Sequence, residues 1–205
     1  MSKKIYLDYQ ATTPVDAKIL KKMLPYFTEN FGNPHSNNHS VGRLASEAVE
    51  EARKNVANLI NAETSEIIFT SGATESNNLA IKSIAKNYFD KNCQIISCKT
   101  EHKCVIESCH ELEKEGFKVI YLDVDEEGLI NLQELEKLLK QEKSLVSIMM
   151  ANNETGVIQD VKKIGELCKK YSSIFHTDVA QSIGTQNIDV VEMNIDALSI
   201  SAHKI

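Results

Sequence analysis

Gln94-Ile95-Ile96-Ser97-Cys98 is followed by Thr100-Glu101-His102, by a helix-patterned run through Glu115 that Gly116 stops, and by Lys118-Val119-Ile120-Tyr121-Leu122. A short apolar run, a polar turn, a helix and a second short apolar run make a strand–helix–strand unit. Working outward, the same alternation repeats. Upstream, Glu66–Thr70 reads as a strand, Ser71-Gly72-Ala73-Thr74-Glu75-Ser76 as a turn, and the next residues to Ala85 as a helix. Downstream, Leu132–Lys140 reads as a helix, Leu145–Met150 as a strand, Val161–Tyr171 as a helix, and Ile174–Asp178 and Ala197–Ser201 as strands. Near the start, Ile5-Tyr6-Leu7 has a strand pattern, and residues 15–28 and 42–60 read as helices. The second of these carries the stripe Val49, Ala52, Val56, Leu59 and Ile60. The Gly-, Asn- and Pro-rich stretch 31–40 between them is a loop.

Strands alternating with helices predict an α/β fold with a mostly parallel sheet flanked by helices. In such sheets a ligand sits beyond the carboxyl ends of the strands. The polar clusters fall at those ends: 71–75, 100–102, 152–156, 178–181 and 201–204. No linker or repeat interrupts the pattern, so one domain is expected over 15–205 after an N-terminal segment, 1–14. The alternation stops while strands are still due, so the domain is expected to be incomplete.

Composition narrows the function. A chain of 205 residues that is 42% hydrophobic can bury one sizeable core. A net charge of -6 argues against a nucleic-acid backbone as partner. No apolar run approaches a membrane span, which argues against a membrane role. Met1-Ser2-Lys3-Lys4 leads at once into a strand pattern, leaving no room for a signal or transit peptide, so a cytoplasmic location is expected. None of the five cysteines forms a Cys-x-x-Cys pair, so free thiols are expected rather than a zinc knuckle or redox centre. Cys104, two residues after His102, reads as a small apolar residue opening a helix rather than a reactive thiol. His35 and His39 lie in an Asn/Pro loop and not on a helix face, which disfavours a metal pair.

Chemistry concentrates in the strand-end clusters. Gly72 permits a tight turn before a helix, whose free N–H groups suit a phosphate; the plain alternative is a cap by Ser71 or Thr74 with Glu75 in the first turn. His102 can stack on a flat ligand and exchange protons, or simply cap the helix that follows. Asn153 can bond a ring hydroxyl, or Asn152-Asn153 can serve the turn alone. Asp178 ends a buried strand, where an unpaired carboxylate is costly; a pyridinium nitrogen would be its partner, or the Asp caps the next turn. In Ser201-Ala202-His203-Lys204, the serine and histidine can hold a phosphate while the lysine forms an imine. A lysine and an aspartate at neighbouring strand ends are what a pyridoxal phosphate site requires.

Taken together and in this order, the segments resemble the pyridoxal-phosphate-dependent cysteine desulfurases of the NifS/IscS type, class-V aminotransferases of fold type I. The resemblance rests on YLDYQATTP at 6–14, FGNPHS at 31–36, TSGATESNN at 70–78, EHK at 101–103, NNETG at 152–156, HTDVAQ at 176–181 and SAHK at 201–204. It implies that Lys204 is the imine-forming lysine and acid/base, and that Asp178 pairs with the pyridine nitrogen. It implies that His102 stacks on the ring, that Gln181 and Asn153 serve the phenolic oxygen, and that Ala73, Thr74, Ser201 and His203 hold the phosphate. Asn33 would lie near the substrate. The implied reaction takes L-cysteine to L-alanine and leaves sulfur as a persulfide, for iron–sulfur cluster assembly or tRNA thiolation. The implied assembly is a homodimer that meets an iron–sulfur scaffold or other sulfur acceptor protein. Family members are about twice as long. None of the five cysteines here matches their nucleophile, and their substrate-binding arginine and small C-terminal domain have no counterpart. The resemblance therefore covers the cofactor-binding half. The alternative is a truncated, inactive chain that binds the cofactor or a partner only.

Overall fold

Strands β1 (Gln94–Cys98), β2 (Lys118–Leu122), β3 (Ser144–Ser147), β4 (Ile174–Asp178) and β5 (Ala197–Ser199) pair in parallel in the order β2-β1-β3-β4-β5. Every residue of β1 and β3 is buried, as strands covered on both faces must be. The computed structural model describes residues 5–89 and 93–205, in two compact units: Thr13–Phe69, and the rest of the described chain, which holds the sheet. Met1–Lys4, read above as leading directly into a strand, lies outside the described residues.

The smaller unit is helical. The single helix expected over 15–28 is two, α1 (Ala17–Met23) and α2 (Pro25–Thr28). Pro25 has no N–H to continue the first helix and begins the second instead. Neither piece buries a residue. Helix α3 (Ser40–Ile60) starts two residues before the expected position 42, because His39 Nδ1 accepts the Gly42 N–H at 3.0 Å and caps it. It ends at Asn61, whose φ of 57° closes the helix in the left-handed region. Its buried stripe is Gly42, Ala45, Ala57 and Ile60; Ala52 and Leu59, expected on that face, are exposed. Gly42 is required there, since a Cβ would sit 2.0 Å from the Ser36 carbonyl oxygen of the 31–36 loop.

Two expected strands do not form. Residues 5–7 join no strand among the described residues, and Ile5 and Leu7 are exposed. Glu66–Thr70 is a 3-10 turn over Thr64–Glu66 followed by extended backbone that pairs with nothing among the described residues. Ile68 is 71% exposed, so the β-prone composition is present without the neighbour a strand needs.

In the larger unit, the sheet separates two helical layers. Helices α4 (Ala73–Tyr88) and α5 (Lys103–Lys114) cover one face, packing Ile81, Ala85, Val105, Cys109 and Leu112 on Ile95 and Leu145. Side chains alternate along a strand, so the residues beside these point the other way. There Gln94 Nε2 donates to the Leu138 carbonyl (2.9 Å) of α6 (Leu132–Leu139). Helix α7 (Val161–Lys170) packs beside α6 and on β4, burying Val161, Ile164 and Cys168. Strand β3 stops at Ser147 rather than running to Met150, and β5 stops at Ser199 rather than Ser201; each continues as loop.

Candidate active site

Five parallel strands send their carboxyl ends to one edge of the sheet, and the loops leaving β1, β3, β4 and β5 meet the start of α4 there. They enclose a cavity of about 410 Å³, a size suited to a small cofactor. Four of the expected clusters leave strand ends, as the sequence pattern requires. The fifth, 71–75, reaches the cavity from the extended segment before α4, where no strand forms.

The α4 end is an anion site in its chemistry. Its N-cap is Gly72, not Ser71 or Thr74, and no side chain caps the helix. Glu75 turns back instead, its Oε2 accepting from Ser71 N and Ser71 Oγ, each at 2.6 Å. Those bonds, the hydroxyl's first, hold its carboxyl below the ordinary range. The first-turn N–H groups of Ala73 and Thr74 thus stay available beside the cavity. Gly72 is extended (φ 162°) and does not supply an unusual turn; a Cβ there would meet nothing within 4 Å, so it contributes open space.

Opposite lie Ser201, buried, and a single 3-10 turn of Ala202–Lys204. This turn brings His203 and the half-buried Lys204 to the cavity, and His203 Nδ1 sits 3.2 Å from Thr12 Oγ1. Asp178, the last residue of β4, is 5% exposed yet lines the cavity. Its Oδ1 accepts from Ala180 N (2.9 Å) and its Oδ2 from Asn77 Nδ2 (2.7 Å). It both caps the turn that follows and faces the cavity. His102 has the same double character: it is exposed at the cavity, and its Nδ1 accepts from Cys104 N at 3.2 Å as the N-cap of α5. That acceptor role places the proton of the neutral ring on Nε2.

The Asn152-Asn153 pair divides its labour. Asn152 Oδ1 accepts from Glu154 N and Thr155 N while its Nδ2 donates to the Thr100 carbonyl (2.7 Å), so Asn152 builds the turn and Asn153 lines the cavity. Gln181 lines it too, with Nε2 donating to the Gln10 carbonyl at 2.9 Å. Asn33 belongs to the smaller unit, where its Oδ1 accepts from His35 N (2.9 Å) to shape the loop.

Sequence reasoning passed over two buried polar residues. Asn77 is fully buried in α4. Glu101 is 8% exposed; its Oε1 accepts from Met149 N at 2.5 Å, and its Oε2 is buried without a partner among the described residues. Burial pushes its carboxyl well above the usual range, against the Met149 N–H bond and with the charge of Asp178 adding to the rise. Nothing in the sequence around Asn77, which stands among Thr74, Glu75, Ser76 and Asn78, sets it apart from an exposed helical polar residue. Cys104 is buried, and desolvation raises its thiol, in keeping with a small core residue. All five cysteines are buried.

The donor set fits the cofactor implied by the sequence resemblance. It offers an uncapped helix start and a buried serine for a phosphate, an acceptor carboxylate for a ring nitrogen, an imidazole for the ring face and a primary amine for the aldehyde.

Comparison with known proteins agrees with this geometry. The class-V aminotransferase family model matches residues 5–205. The chain is 56% identical over 201 residues to the cysteine desulfurase IscS of Rickettsia massiliae (strain Mtu5), covering 98% of this chain and 49% of that protein. It is 54% identical to a probable mitochondrial cysteine desulfurase of Dictyostelium discoideum, covering 98% and 45%. Among solved structures it is similar to SspA in complex with cysteine and to a NifS-like protein, each with a TM-score of 0.94 and 41% identity over 98% of this chain. Those matches span 58% and 56% of the two solved chains. The chain spans about half the length of the curated relatives it matches. With a matching family model over nearly all of its residues and a parallel sheet of the same architecture, the chain belongs to the class-V aminotransferase family.

Proposed function

We propose that these residues form the pyridoxal-phosphate-binding part of a cysteine desulfurase, which takes L-cysteine to L-alanine and passes the sulfur to a cysteine thiolate as a persulfide. The observation that carries the reading is the meeting of Lys204, Asp178, His102 and the α4 start around one cavity. The curated relatives named as cysteine desulfurases, and the solved neighbour in complex with cysteine, support the substrate class.

When bound, pyridoxal phosphate supplies an electron-withdrawing ring that weakens the C–S bond of a cysteine joined to it. The chain's own residues prepare this. Ala73 and Thr74 N–H groups, with Ser201 and His203, hold the phosphate. Asp178 would pair with the ring nitrogen, and its two existing hydrogen bonds stop it rotating away. Lys204 Nζ holds the cofactor before substrate arrives and afterwards moves a proton at the substrate's α-carbon. His102 presents Nε2–H and donates rather than accepts in its resting tautomer. Asn153 and Gln181 serve the phenolic side. Each of the five cysteines is buried, so none of them is proposed as the persulfide-forming thiolate. A homodimer in the cytoplasm, delivering sulfur to an iron–sulfur scaffold or to tRNA thiolation, completes the reading.

The test is spectroscopic. Purified protein mixed with pyridoxal phosphate is expected to develop the visible band of a lysine-bound cofactor, and Lys204→Ala to lose it. Failure of the wild-type protein to take up the cofactor overturns the proposal.

A further inference from the structure

We propose that Asn77 is a positioning residue for Asp178, with α4 acting as a fixed spacer between the phosphate end and the ring-nitrogen end of the cofactor site. The inference rests on the cofactor reading above and assigns a residue which that reading does not use.

Asn77 is fully buried, and its Nδ2 lies 2.7 Å from Asp178 Oδ2 although 101 positions separate them. The orientation of the amide is settled by its partner, because turning it over would set a carbonyl oxygen against a carboxylate. That leaves Asn77 Oδ1 buried without a partner among the described residues. An apolar side chain of the same size would spare the orphaned oxygen but leave the buried Asp178 Oδ2 without its donor, so the bond to Asp178 is what the buried amide supplies. The placement adds a second reason. Thr74 and Asn77 stand three apart on α4 and share a face. One rigid turn therefore carries both the first-turn N–H groups and the amide that orients the carboxylate.

The same amide reaches the other ring-handling residue. Asn77 Nδ2 lies 3.2 Å from Cys104 Sγ, which lies 3.0 Å from His102 Nδ1. A thiol is neutral when burial raises it, so Cys104 can accept from the amide and donate to the imidazole. The donors then run in one direction, from Asn77 to Asp178 on one side and through Cys104 to His102 on the other.

Pyridoxal phosphate labelled with 15N at the ring nitrogen reads the hold directly. The nitrogen is expected to be protonated on the wild-type protein and to lose its proton over much of the population on Asn77→Leu. Cofactor affinity should fall about tenfold; the melting temperature of the cofactor-free variant should fall as well, because Asp178 Oδ2 loses its buried amide donor. Equal protonation and equal affinity in the two proteins overturns the inference. Should Asn77→Leu not fold, the cofactor-free wild type decides. The Asn77 side-chain amide protons are then expected to exchange far more slowly than exposed asparagine amides, and exchange at the exposed rate overturns the inference. Slow exchange in a protein that takes up no cofactor would uphold the Asn77–Asp178 hold and remove the cofactor reading alone.

Discussion

Ser76 Oγ donates to Ser199 Oγ at 2.9 Å across 123 positions of chain, joining the first turn of α4 to the last residue of β5. The bond continues inward. Ser199 Oγ lies 3.2 Å from His176 Nε2, and His176 Nδ1 lies 2.9 Å from Ser147 Oγ. Four side chains thus tie α4, β5, β4 and β3 together beneath the cavity. Ser199→Ala removes the centre of this chain and leaves the half-buried Ser76 hydroxyl and the buried His176 Nε2 each short of a partner. The expected loss is about 1–3 kcal/mol, read as a lower urea midpoint. A midpoint equal to the wild type would show that the network carries no stability.

His176 sets an acid limit. It is fully buried, and desolvation pushes its imidazole down from 6.5 to about 4, against the pull of Asp178. Above pH 6.5 the ring is neutral folded and unfolded, and its contribution is unchanged. Between 6.5 and 4 the unfolded chain takes up a proton that the folded chain refuses, so stability falls with pH, by about 3 kcal/mol in full. Denaturation midpoints measured from pH 7.5 to 4.5 are expected to drop steeply for the wild type. His176→Gln should flatten the drop, and an equal drop in both proteins would place the acid sensitivity elsewhere.

Glu101 has the opposite sign. Its folded carboxyl titrates well above 4.5, so stability is complete below that value and is lost as pH rises through the gap. Glu101→Gln mimics the protonated acid and keeps an acceptor for Met149 N. The variant is therefore expected to gain on the wild type as pH rises from 4.5 to 8. A constant difference across that range would mean the acid is ionised in the fold.

Gly165 leaves no room for a side chain. A Cβ there would lie 1.9 Å from the Met193 carbonyl oxygen and 3.1 Å from that of Asn194. Both obstacles are backbone, so α7 or the 193–194 turn has to move. Gly165→Ala, which raises helix propensity, is nonetheless expected to destabilise by about 2 kcal/mol or more. Gly72→Ala meets no atom within 4 Å and is expected to leave cofactor-free stability nearly unchanged. Thermal melts of the two variants check the contrast.

Periodicity carried the sheet. β1, β2 and β4 were legible to the residue because each is a short apolar run closed by a polar cluster. The residues around the cavity were legible because a parallel sheet gathers its strand ends. What the sequence hid depended on partners. Ile67-Ile68-Phe69 has β-prone residues, yet pairing is not a property of the segment itself. The Ala52 and Leu59 positions fit a helical stripe, but the buried face was set by where the 31–36 loop packs on Gly42. Asn77 looked like an ordinary helical polar residue, since nothing local announces a carboxylate 101 positions away.

The hydrogen bond between Thr12 and His203 spans 191 positions and brings together two ends of the described chain at the cavity. Its consequence lies in synthesis. The α4 end of the site emerges from the ribosome long before β5 and Lys204 exist to face it, so the cavity cannot close until they are made. Closure of the site is a late, long-range event of the kind that slows folding. A ligand that bridges the early and late segments would act as their clasp.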